Sequence, residues 1–442
     1  MGKLAGMRQL FRWGVRHGLI RWSSARGARA GEVSAALMVD PAYALDPFPH
    51  YETLRAKGPL YDNGFAITTV SHAVTTAVLR SPDFGVIGGY SGNVPRWLLL
   101  AQAIGGRGPL GPVEPPSMLA VDQPDHTRYR KLVSRAFTAR AVAALRSRTE
   151  EIADELLTGL ERRRDVDLMT EYASLLPATV IAEMLGAPVA ISRQFLAWGA
   201  EAARSLDAGL SLSEFRRSER GLRALQRWME GHFRHLRAHP GDNILSTLVH
   251  AQSAEGKLTP DELTATAMLL LAAGFETTVN LIGNGTALLI EHPDQLDRLR
   301  AEPALWSNAV DEVLRFDSPV QRTGRVAQRD TELAGVRVPA GQPVMTLLGG
   351  ANRDPEVFDD PQRFDVARPN AGEHVAFSSG IHYCLGAGLA RMEGAVGLQA
   401  LFDRFPDIAL AGSPHRRATR VLRGYETLPV RLTTAARQAK AS

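Results

Sequence analysis

Residues 377–391 have the sequence FSSGIHYCLGAGLAR, which carries the strongest structural signal in the chain. Cys384 is the only cysteine among 442 residues, so the chain forms neither an intramolecular disulfide nor a multi-cysteine metal site. The surrounding glycines permit a tight loop that leads into a helix, and the N–H groups at a helix start favour a thiolate. Cys384 is therefore a nucleophile, a redox sensor or an axial metal ligand, unless it is an inert core residue.

A second signal is a long helix, predicted from Thr259 to Glu291. Thr259 and Glu262 have the spacing of a capping box, and Pro260 occupies the first helical position. At 1.5 Å per residue the helix spans ~50 Å. Its centre is apolar on every side, which predicts burial in a large core.

Polar residues interrupt the apolar centre of this helix at Glu276 and Thr277. A buried carboxylate is costly unless it is paired, hydrated or protonated, so this pair is either a satisfied core contact or a proton-handling site. Ala273 and Gly274 on the same turn leave room for a flat group, which favours the second alternative. The Thr277 hydroxyl is also expected to bond to the Ala273 carbonyl.

A third signal is the pair Glu312 and Arg315, which shares one face of a helix predicted from Ala304 to Phe316. In this order and spacing the three signals resemble those of the cytochrome P-450 superfamily, in particular its soluble bacterial, actinobacterial-type members. The resemblance extends over residues 46–432. The matched motifs are FxxGxxxCxG at Phe377, Gly380, Cys384 and Gly386, AGx(E/D)T at Ala273, Gly274, Glu276 and Thr277, ExxR at Glu312 and Arg315, and the stretches 122–130, 351–355 and 364–368.

The resemblance implies a mainly α fold with a small β region, namely a single-domain cytochrome P-450 fold with a long central helix over the haem. Short strands predicted in residues 331–344 agree with the small β region. We expect residues 39–442 to form this haem-thiolate domain. Residues 1–38 are expected to form a basic amphipathic N-terminal extension, which is not part of the family pattern.

The resemblance also assigns residues to a haem b cofactor. Cys384 would ligate the iron as a thiolate, and Phe377 would shield the sulfur. The residues implied to bind the cofactor are His126, Arg130, Ala273, Gly274, Arg325, Phe377, His382, Cys384 and Gly386. Glu276 and Thr277 match the family's catalytic acid–alcohol pair, which supplies the protons that O–O cleavage requires. Glu312 and Arg315 would form a structural ion-pair network whose third member is Arg368 or Arg363.

The implied activity is that of a haem-dependent monooxygenase, which inserts one oxygen atom from O2 into a lipophilic organic substrate. Electrons would come from a separate 2Fe-2S, 3Fe-4S or 4Fe-4S ferredoxin with an NAD(P)H-dependent reductase, because we expect no flavin or ferredoxin domain in the chain. The alternatives are a haem-thiolate sensor and a peroxide-driven oxygenase, neither of which requires the Glu276–Thr277 pair. A basic stripe of Arg128, Lys131 and Arg135 on one helix face is the expected docking site for an acidic ferredoxin.

The substrate-binding pocket is expected to be apolar, which favours a small lipophilic molecule over a charged metabolite. Its predicted wall consists of Tyr90, Trp97, Leu98, Leu99, Ala272, Phe275, Val320, Leu347 and Leu348.

The charge distribution bears on partners and location. The 51 Lys and Arg residues outnumber the 47 Asp and Glu only slightly and are scattered, so no nucleic-acid partner is expected. At the N-terminus, however, apolar residues recur at helical spacing between basic ones. This helix either contacts a membrane surface through residues 1–29 or folds its apolar face onto the protein. Arginines interrupt any secretory signal, so we expect a cytoplasmic protein, peripheral at the inner face of the membrane in the first alternative.

Overall fold

Helices make up most of the chain. The computed structural model of the protein describes residues 2–89, 104–251 and 258–433. Small sheets accompany the helices in these ranges, which confirms a mainly α fold with a small β region. The α-helices are α1 (Gly2–Trp13), α2 (Leu19–Arg29), α3 (Val33–Val39), α4 (Pro41–Leu45), α5 (Phe48–Arg55), α6 (His72–Arg80), α7 (Asp125–Val133), α8 (Ala139–Thr158), α9 (Leu175–Met184), α10 (Ser192–Arg204), α11 (Leu212–Ala238), α12 (Ile244–His250), α13 (Pro260–Glu291), α14 (Pro293–Ala301), α15 (Trp306–Phe316), α16 (Leu348–Ala351) and α17 (Ala387–Arg404).

Helix α13 is the centre of the largest hydrophobic core. The Thr259 hydroxyl accepts from the Glu262 amide and the Glu262 carboxylate accepts from the Thr259 amide, so the predicted capping box is present. Helices α9, α10, α11, α15 and α17 pack around α13. By length and hydropathy α13 could cross a membrane, but 78% of its most apolar window is buried inside the protein. It is therefore the core helix that the sequence predicts.

The largest sheet carries Arg325. The strands of the described ranges are β1 (Tyr61–Asp62), β2 (Ile67–Thr69), β3 (Phe84–Gly85), β4 (Asp165–Asp167), β5 (Thr323–Ala327), β6 (Thr331–Leu333), β7 (Val336–Val338), β8 (Pro343–Thr346), β9 (Ala409–Leu410), β10 (His415–Arg416), β11 (Tyr425–Thr427) and β12 (Pro429–Arg431). Five of them form a sheet in the order β1-β2-β8-β5-β3, in which only β2 and β8 are parallel. This sheet places β5 beside β3 and the turn at Ile87–Gly89 that follows it.

Residues 2–29 lie against the rest of the protein. A π-helical turn joins α1 to α2, so the segment is nearly continuous helix. Trp13 Nε1 donates to the Leu210 carbonyl at 2.8 Å, and Arg12 forms an ion pair with Glu219 of α11 at 2.6 Å. These contacts are polar, whereas the apolar side chains of Met7, Leu10, Phe11, Leu19 and Trp22 are exposed. The expectation that the helix folds its apolar face onto the protein is therefore wrong for these residues, and contact with a membrane stays a prediction.

Candidate functional site

The loop before α17 fixes the position of Cys384. Its amide donates to the Phe377 carbonyl at 2.9 Å, which closes the loop. The Cys384 side chain is exposed although it lies deep in the protein, so it faces an internal slot rather than the outer surface. Burial raises the pKa of the Cys384 thiol, and the Gly386 amide that bonds to the sulfur opposes this rise only in part. Arg130 and Arg391 also oppose it, and a bound metal ion would favour the thiolate further.

The Phe377 ring is packed on several sides next to the cysteine loop. It lies 5.6 Å from the His374 ring and 6.3 Å from the Tyr383 ring, and the Arg391 guanidinium sits 4.7 Å above it. Arg391 Nε also forms an ion pair with Asp311 Oδ1 at 2.7 Å, which connects α17 to α15. These contacts hold the ring in one place.

The same loop has a left-handed backbone at two positions. Gly380 has φ +69°, and a side chain there would collide with the Leu79 carbonyl oxygen, so only glycine fits. Ser378 has φ +64°, a conformation that costs an ordinary L-residue roughly 1–2 kcal/mol. The Ser378 hydroxyl is also buried without a hydrogen-bond partner in the described ranges. Glycine would adopt this backbone without that cost.

Four predicted cofactor-binding residues, His126, Arg130, Arg325 and His382, form one group of basic side chains, called the cation cluster here after the guanidinium groups of Arg130 and Arg325. The rings of His126 and His382 lie 4.2 Å apart, and His382 Nε2 is 3.4 Å from Asp122 Oδ1. Burial, and next the neighbouring His382 and Arg130, lower the pKa of His126 to about 4. The structure thus brings side chains from α7, β5 and the cysteine loop to one place.

Arg325 is a buried cation in this cluster. It is 4% exposed, and its Nη1 donates to Thr323 Oγ1 at 3.1 Å and to the Gly324 carbonyl at 2.9 Å. In the described part of the chain no carboxylate lies within ion-pair distance of it. Burial lowers the pKa of Arg325 to about 10, although Asp122 opposes this. A buried guanidinium held only by neutral groups is suited to bind an anion.

One face of α13 is accessible within an otherwise buried helix. Ala273 is exposed and Thr277, one turn later, is half-buried. The Thr277 hydroxyl donates to the Ala273 carbonyl at 3.1 Å, as predicted. Gly274 has another function than the sequence suggests, because a side chain there would press on Ile181 of α9. Ala273 therefore provides the small accessible surface, and Gly274 allows two helices to approach.

The predicted catalytic carboxylate is ion-paired. Glu276 is 3% exposed, and its Oε1 accepts from Arg417 Nη1. Arg417 follows β10, and it is held by the Gly424 and Tyr425 carbonyls, to which its amide and Nε donate. With 23% of its side chain exposed, Arg417 lies between the carboxylate and the solvent. The buried charge of Glu276 is thereby compensated.

The Glu312–Arg315 network is completed by Arg368. Arg315 Nε and Nη2 bind the two Glu312 oxygens at 2.6 and 2.8 Å, and both side chains are fully buried. Arg368 Nε lies 3.3 Å from the same carboxylate. Arg363 is exposed and pairs with Asp365 instead, at 3.9 Å. This settles the alternative that the sequence left open.

The predicted pocket wall is only partly testable. Tyr90, Trp97, Leu98 and Leu99 lie outside the described residues. The prediction for Phe275 is wrong, because this residue is fully buried and its ring packs against Gly199 of α10. Leu347 and Leu348 are also buried, in small separate clusters, whereas Ala272 and Val320 are half-buried.

The predicted docking stripe is partly neutralised. Arg128 Nη2 forms ion pairs with Glu262 at 2.7 Å and Asp125 at 3.1 Å, and Glu262 also caps α13. Lys131 has an interaction partner as well, while Arg135 is exposed. Arg128 is therefore ion-paired within the protein, and ferredoxin docking on this stripe stays a prediction.

Two residues at the site had no predicted function, Asp122 and Arg417. Asp122 accepts from the Val86 amide at 3.0 Å and also faces His382. Its position in the matched stretch 122–130 is the sequence signal that could have identified it. Arg417 lies 141 positions from Glu276 and belongs to no local pattern, so only the fold reveals it.

The residues present fit a haem b. An accessible interior thiol offers an axial ligand for iron. The buried Arg325, with the rest of the cation cluster, offers partners for two carboxylates. The small accessible surface at Ala273 leaves room for a flat ring.

The chain matches known proteins over most of its length. The family model described as Cytochrome P450 matches residues 223–408. Cytochrome P450 140 of Mycobacterium tuberculosis is 49% identical over 434 residues, which cover 96% of this chain and 98% of the relative. The 6-deoxyerythronolide B hydroxylase of Saccharopolyspora erythraea is 43% identical over 317 residues, 70% of this chain and 76% of the relative. Among solved structures, the myxobacterial cytochrome P450 CYP267B1 in complex with myristic acid has a TM-score of 0.81 and 34% identity, covering 90% of this chain and 99% of that one.

Proposed function

Because the chain belongs to the cytochrome P450 family, we propose that it inserts one oxygen atom from O2 into a lipophilic substrate with electrons from a separate ferredoxin and reductase. Family membership makes the protein a haem b monooxygenase, an oxidoreductase that acts on organic substrates. Three points go beyond family membership and are our proposal: the electron donor, the substrate class and the roles of single residues.

We propose that Cys384 ligates the haem iron and that the cation cluster holds the two haem carboxylates. Haem supplies the oxidising chemistry when bound, and thiolate ligation favours O–O cleavage. Phe377 limits access to the sulfur, Gly386 donates its amide to it, and Ala273 keeps the accessible side of α13 close to the backbone. The observation that carries this proposal is the buried Arg325 without a carboxylate partner in the described ranges, inside a cluster of further basic side chains.

The proton supply is assigned to Thr277 and Glu276. Conversion of one oxygen of O2 to water needs two protons, which a dry pocket cannot provide. We propose that the accessible Thr277 hydroxyl orients water. Glu276 exchanges protons with the solvent beside Arg417, whose partial exposure supports this role.

The ligand assignment is tested with Cys384→Ser. The substitution should abolish the red-shifted absorption of the reduced carbon-monoxide complex, which depends on a thiolate. Ser379→Ala, in the same loop, should keep that band. Survival of the band in the Cys384 variant would exclude Cys384 as the ligand.

The variant Thr277→Ala tests whether the protein is a monooxygenase rather than a haem-thiolate sensor or a peroxide-driven oxygenase. We expect this variant to retain haem but to divert NAD(P)H electrons to hydrogen peroxide, so that product formed per NAD(P)H falls. The matched control is Thr286→Ala, because Thr286 makes the same hydroxyl-to-carbonyl bond on α13 but is fully buried. Equal coupling in both variants would remove Thr277 from the mechanism.

We propose a small lipophilic substrate of lipid, terpenoid, steroid or polyketide type. One relative is named a 6-deoxyerythronolide B hydroxylase and another a vitamin D(3) 25-hydroxylase, and one similar structure contains myristic acid. Titration of such compounds against the haem spin-state spectrum identifies the ligand class.

We propose that an iron–sulfur ferredoxin docks on the basic surface near Arg135. Arg135 and Arg140 are exposed at the turn between α7 and α8, whereas Arg128 is bound to Glu262. Reversal of both charges to Glu should slow reduction by ferredoxin and weaken its salt dependence, and leave reduction by dithionite unchanged. The control is Arg193→Glu on α10. Unchanged ferredoxin kinetics in the double variant would rule out this surface.

We further propose that residues 39–442 form the haem domain and residues 1–38 an extension of it, in a cytoplasmic protein. The match to the solved relative covers 99% of that protein but only 90% of this chain. This difference supports an extension outside the shared domain. Peripheral contact of residues 1–29 with the inner face of the membrane is part of the proposal.

A further inference from the structure

Exposed apolar side chains are concentrated in two segments, residues 7–22 and 104–119. Of the 15 large hydrophobic side chains that are exposed in the described ranges, eight lie there. They are Met7, Leu10, Phe11, Leu19, Trp22, Ile104, Val113 and Leu119. Trp22 is 67% and Met7 61% exposed. Single exposed apolar side chains are common on protein surfaces, whereas a concentration of them marks an interaction surface.

The two segments are bonded to each other. Arg12 Nη1 donates to the Gly105 carbonyl at 2.7 Å, and Arg16 forms an ion pair with Glu114 at 2.5 Å. The two segments are therefore neighbours, and residues 2–29 together with residues 104–119 are called the lipid face below.

The lipid face is fixed to the body of the protein. The Arg12–Glu219 ion pair has side chains only 9% and 6% exposed, and Gln9 donates to the same carboxylate at 2.8 Å. The Trp13 indole is bonded to the Leu210 carbonyl. Separation of the helix from α11 would break this ion pair and the hydrogen bonds of Gln9 and Trp13. The helix is thus not a loose tether.

The lipid face is basic as well as apolar. Residues 2–29 contain seven Lys and Arg and no Asp or Glu, whereas the rest of the chain has 44 Lys and Arg against 47 Asp and Glu. Arg8, Arg21 and Arg26 are exposed between the apolar side chains. Interleaved apolar and basic side chains without acidic ones are typical of helices that lie in the interface of an anionic bilayer.

We infer that the lipid face docks the whole enzyme, in one orientation, on an anionic phospholipid bilayer. This inference rests on the membrane contact proposed above and adds residues 104–119 to it. That segment leads directly to Asp122, which accepts from the Val86 amide and faces His382 of the cation cluster. Residues 104–119 are thus joined through the chain to the proposed haem site.

The test is flotation of the full-length haem-loaded protein with vesicles of phosphatidylglycerol and phosphatidylcholine, or of phosphatidylcholine alone. We expect binding only to the anionic vesicles. Each basic residue near such a surface contributes about a fivefold factor in partitioning, so Arg8→Glu with Arg26→Glu should lower it more than about twentyfold. The matched control, Arg140→Glu with Arg193→Glu, should bind like the parent.

Apolar substitutions test the composite surface itself. Met7→Ser with Trp22→Ser, and separately Ile104→Ser with Val113→Ser, should each reduce binding, whereas Phe65→Ser, equally exposed but elsewhere, should not. If the 104–113 variant binds like the parent, the composite surface is wrong, even though contact through residues 1–29 survives. If the substitutions instead lower the mass of a soluble oligomer, the face contacts a second copy and the inference fails. None of these readouts requires turnover, so they are independent of the proposed reaction.

Discussion

The Glu276 carboxylate and the Arg417 guanidinium form an ion pair although 141 positions separate them in the chain. Glu276 comes from the core helix, whereas Arg417 comes from the hairpin of β10 and β11. Arg417 Nε donates to the Tyr425 carbonyl and the Arg417 amide to the Gly424 carbonyl, so the carboxylate faces a cation of fixed position. A buried carboxylate that loses its cation favours the protonated form. Arg417 is thus a positioning residue for the proposed proton exchange at Glu276.

We expect Arg417→Gln to retain haem but to lower the free energy of unfolding by about 3 kcal/mol, because it leaves a buried charge without a partner. Product formed per NAD(P)H should also fall and reach its maximum at a higher pH, where Glu276 is again ionised. Arg417→Lys keeps the charge and should restore most of the coupling. A pH profile of coupling identical to the parent in the Gln variant would show that Arg417 serves stability alone.

The Glu312 carboxylate provides a second prediction, which compares Arg368 and Arg363. Arg368 is buried beside Glu312, so Arg368→Ala leaves part of the carboxylate unpaired and should lower the free energy of unfolding by about 3–5 kcal/mol. Arg363 is exposed, and its contribution to the network is a backbone carbonyl that Arg363→Ala retains. Arg363→Ala should change stability by less than about 0.5 kcal/mol. Chemical denaturation of the two haem-loaded variants measures the difference, and equal losses would contradict the assignment.

Local sequence patterns predicted the elements that carry the chemistry. The capping box at Thr259 gave the start of α13 to within one residue, and its apolar centre indicated burial. The spacing of glycines around Cys384 predicted a tight loop before α17. The bond from the Thr277 hydroxyl to the Ala273 carbonyl followed from helix geometry alone. Each of these depends on residues close together in the chain.

The features that sequence patterns missed depend on packing between distant elements. Gly274 was expected to make room for a cofactor, but a side chain at this position would point toward Ile181. Only the packing of α9 against α13 reveals this. The choice of Arg368 over Arg363 and the pairing of Glu276 with Arg417 likewise require the folded chain. The N-terminal helix packs on α11 through polar contacts while most of its large apolar side chains stay exposed, and this arrangement also depends on the position of α11.

A third prediction concerns the strained loop next to Cys384. Ser378 has φ +64° and a buried hydroxyl without a partner in the described ranges. Ser378→Gly removes both costs but increases the freedom of the unfolded chain, so we expect a net gain in unfolding free energy of about 1 kcal/mol. Gly380→Ser introduces a side chain against the Leu79 carbonyl and should destabilise the loop and lower haem content. Thermal unfolding of haem-loaded protein measures both effects. A Ser378→Gly variant less stable than the parent would mean that the serine makes a contact that compensates its strain.

The last prediction is that packing of the N-terminal helix on the rest of the protein depends on pH, because His17 titrates. The Leu210 amide donates to His17 Nδ1 at 3.3 Å, and the His17 ring lies 5.3 Å from Phe215. Burial, and next the neighbouring Arg16, lower the pKa of His17 from 6.5 to about 4. Packing of the N-terminal helix on the protein therefore favours the neutral His17 ring. The contribution of His17 to this packing is complete above pH 6.5 and is lost as the pH falls from there toward 4.

Protease cleavage within residues 2–29, measured at short times, should thus accelerate over this pH interval while the haem spectrum stays unchanged. His17→Asn supplies an oxygen that can accept from the Leu210 amide but does not titrate, so its cleavage rate, corrected for the protease's own pH dependence, should stay flat. If the parent and His17→Asn accelerate equally, another group controls the release of the segment.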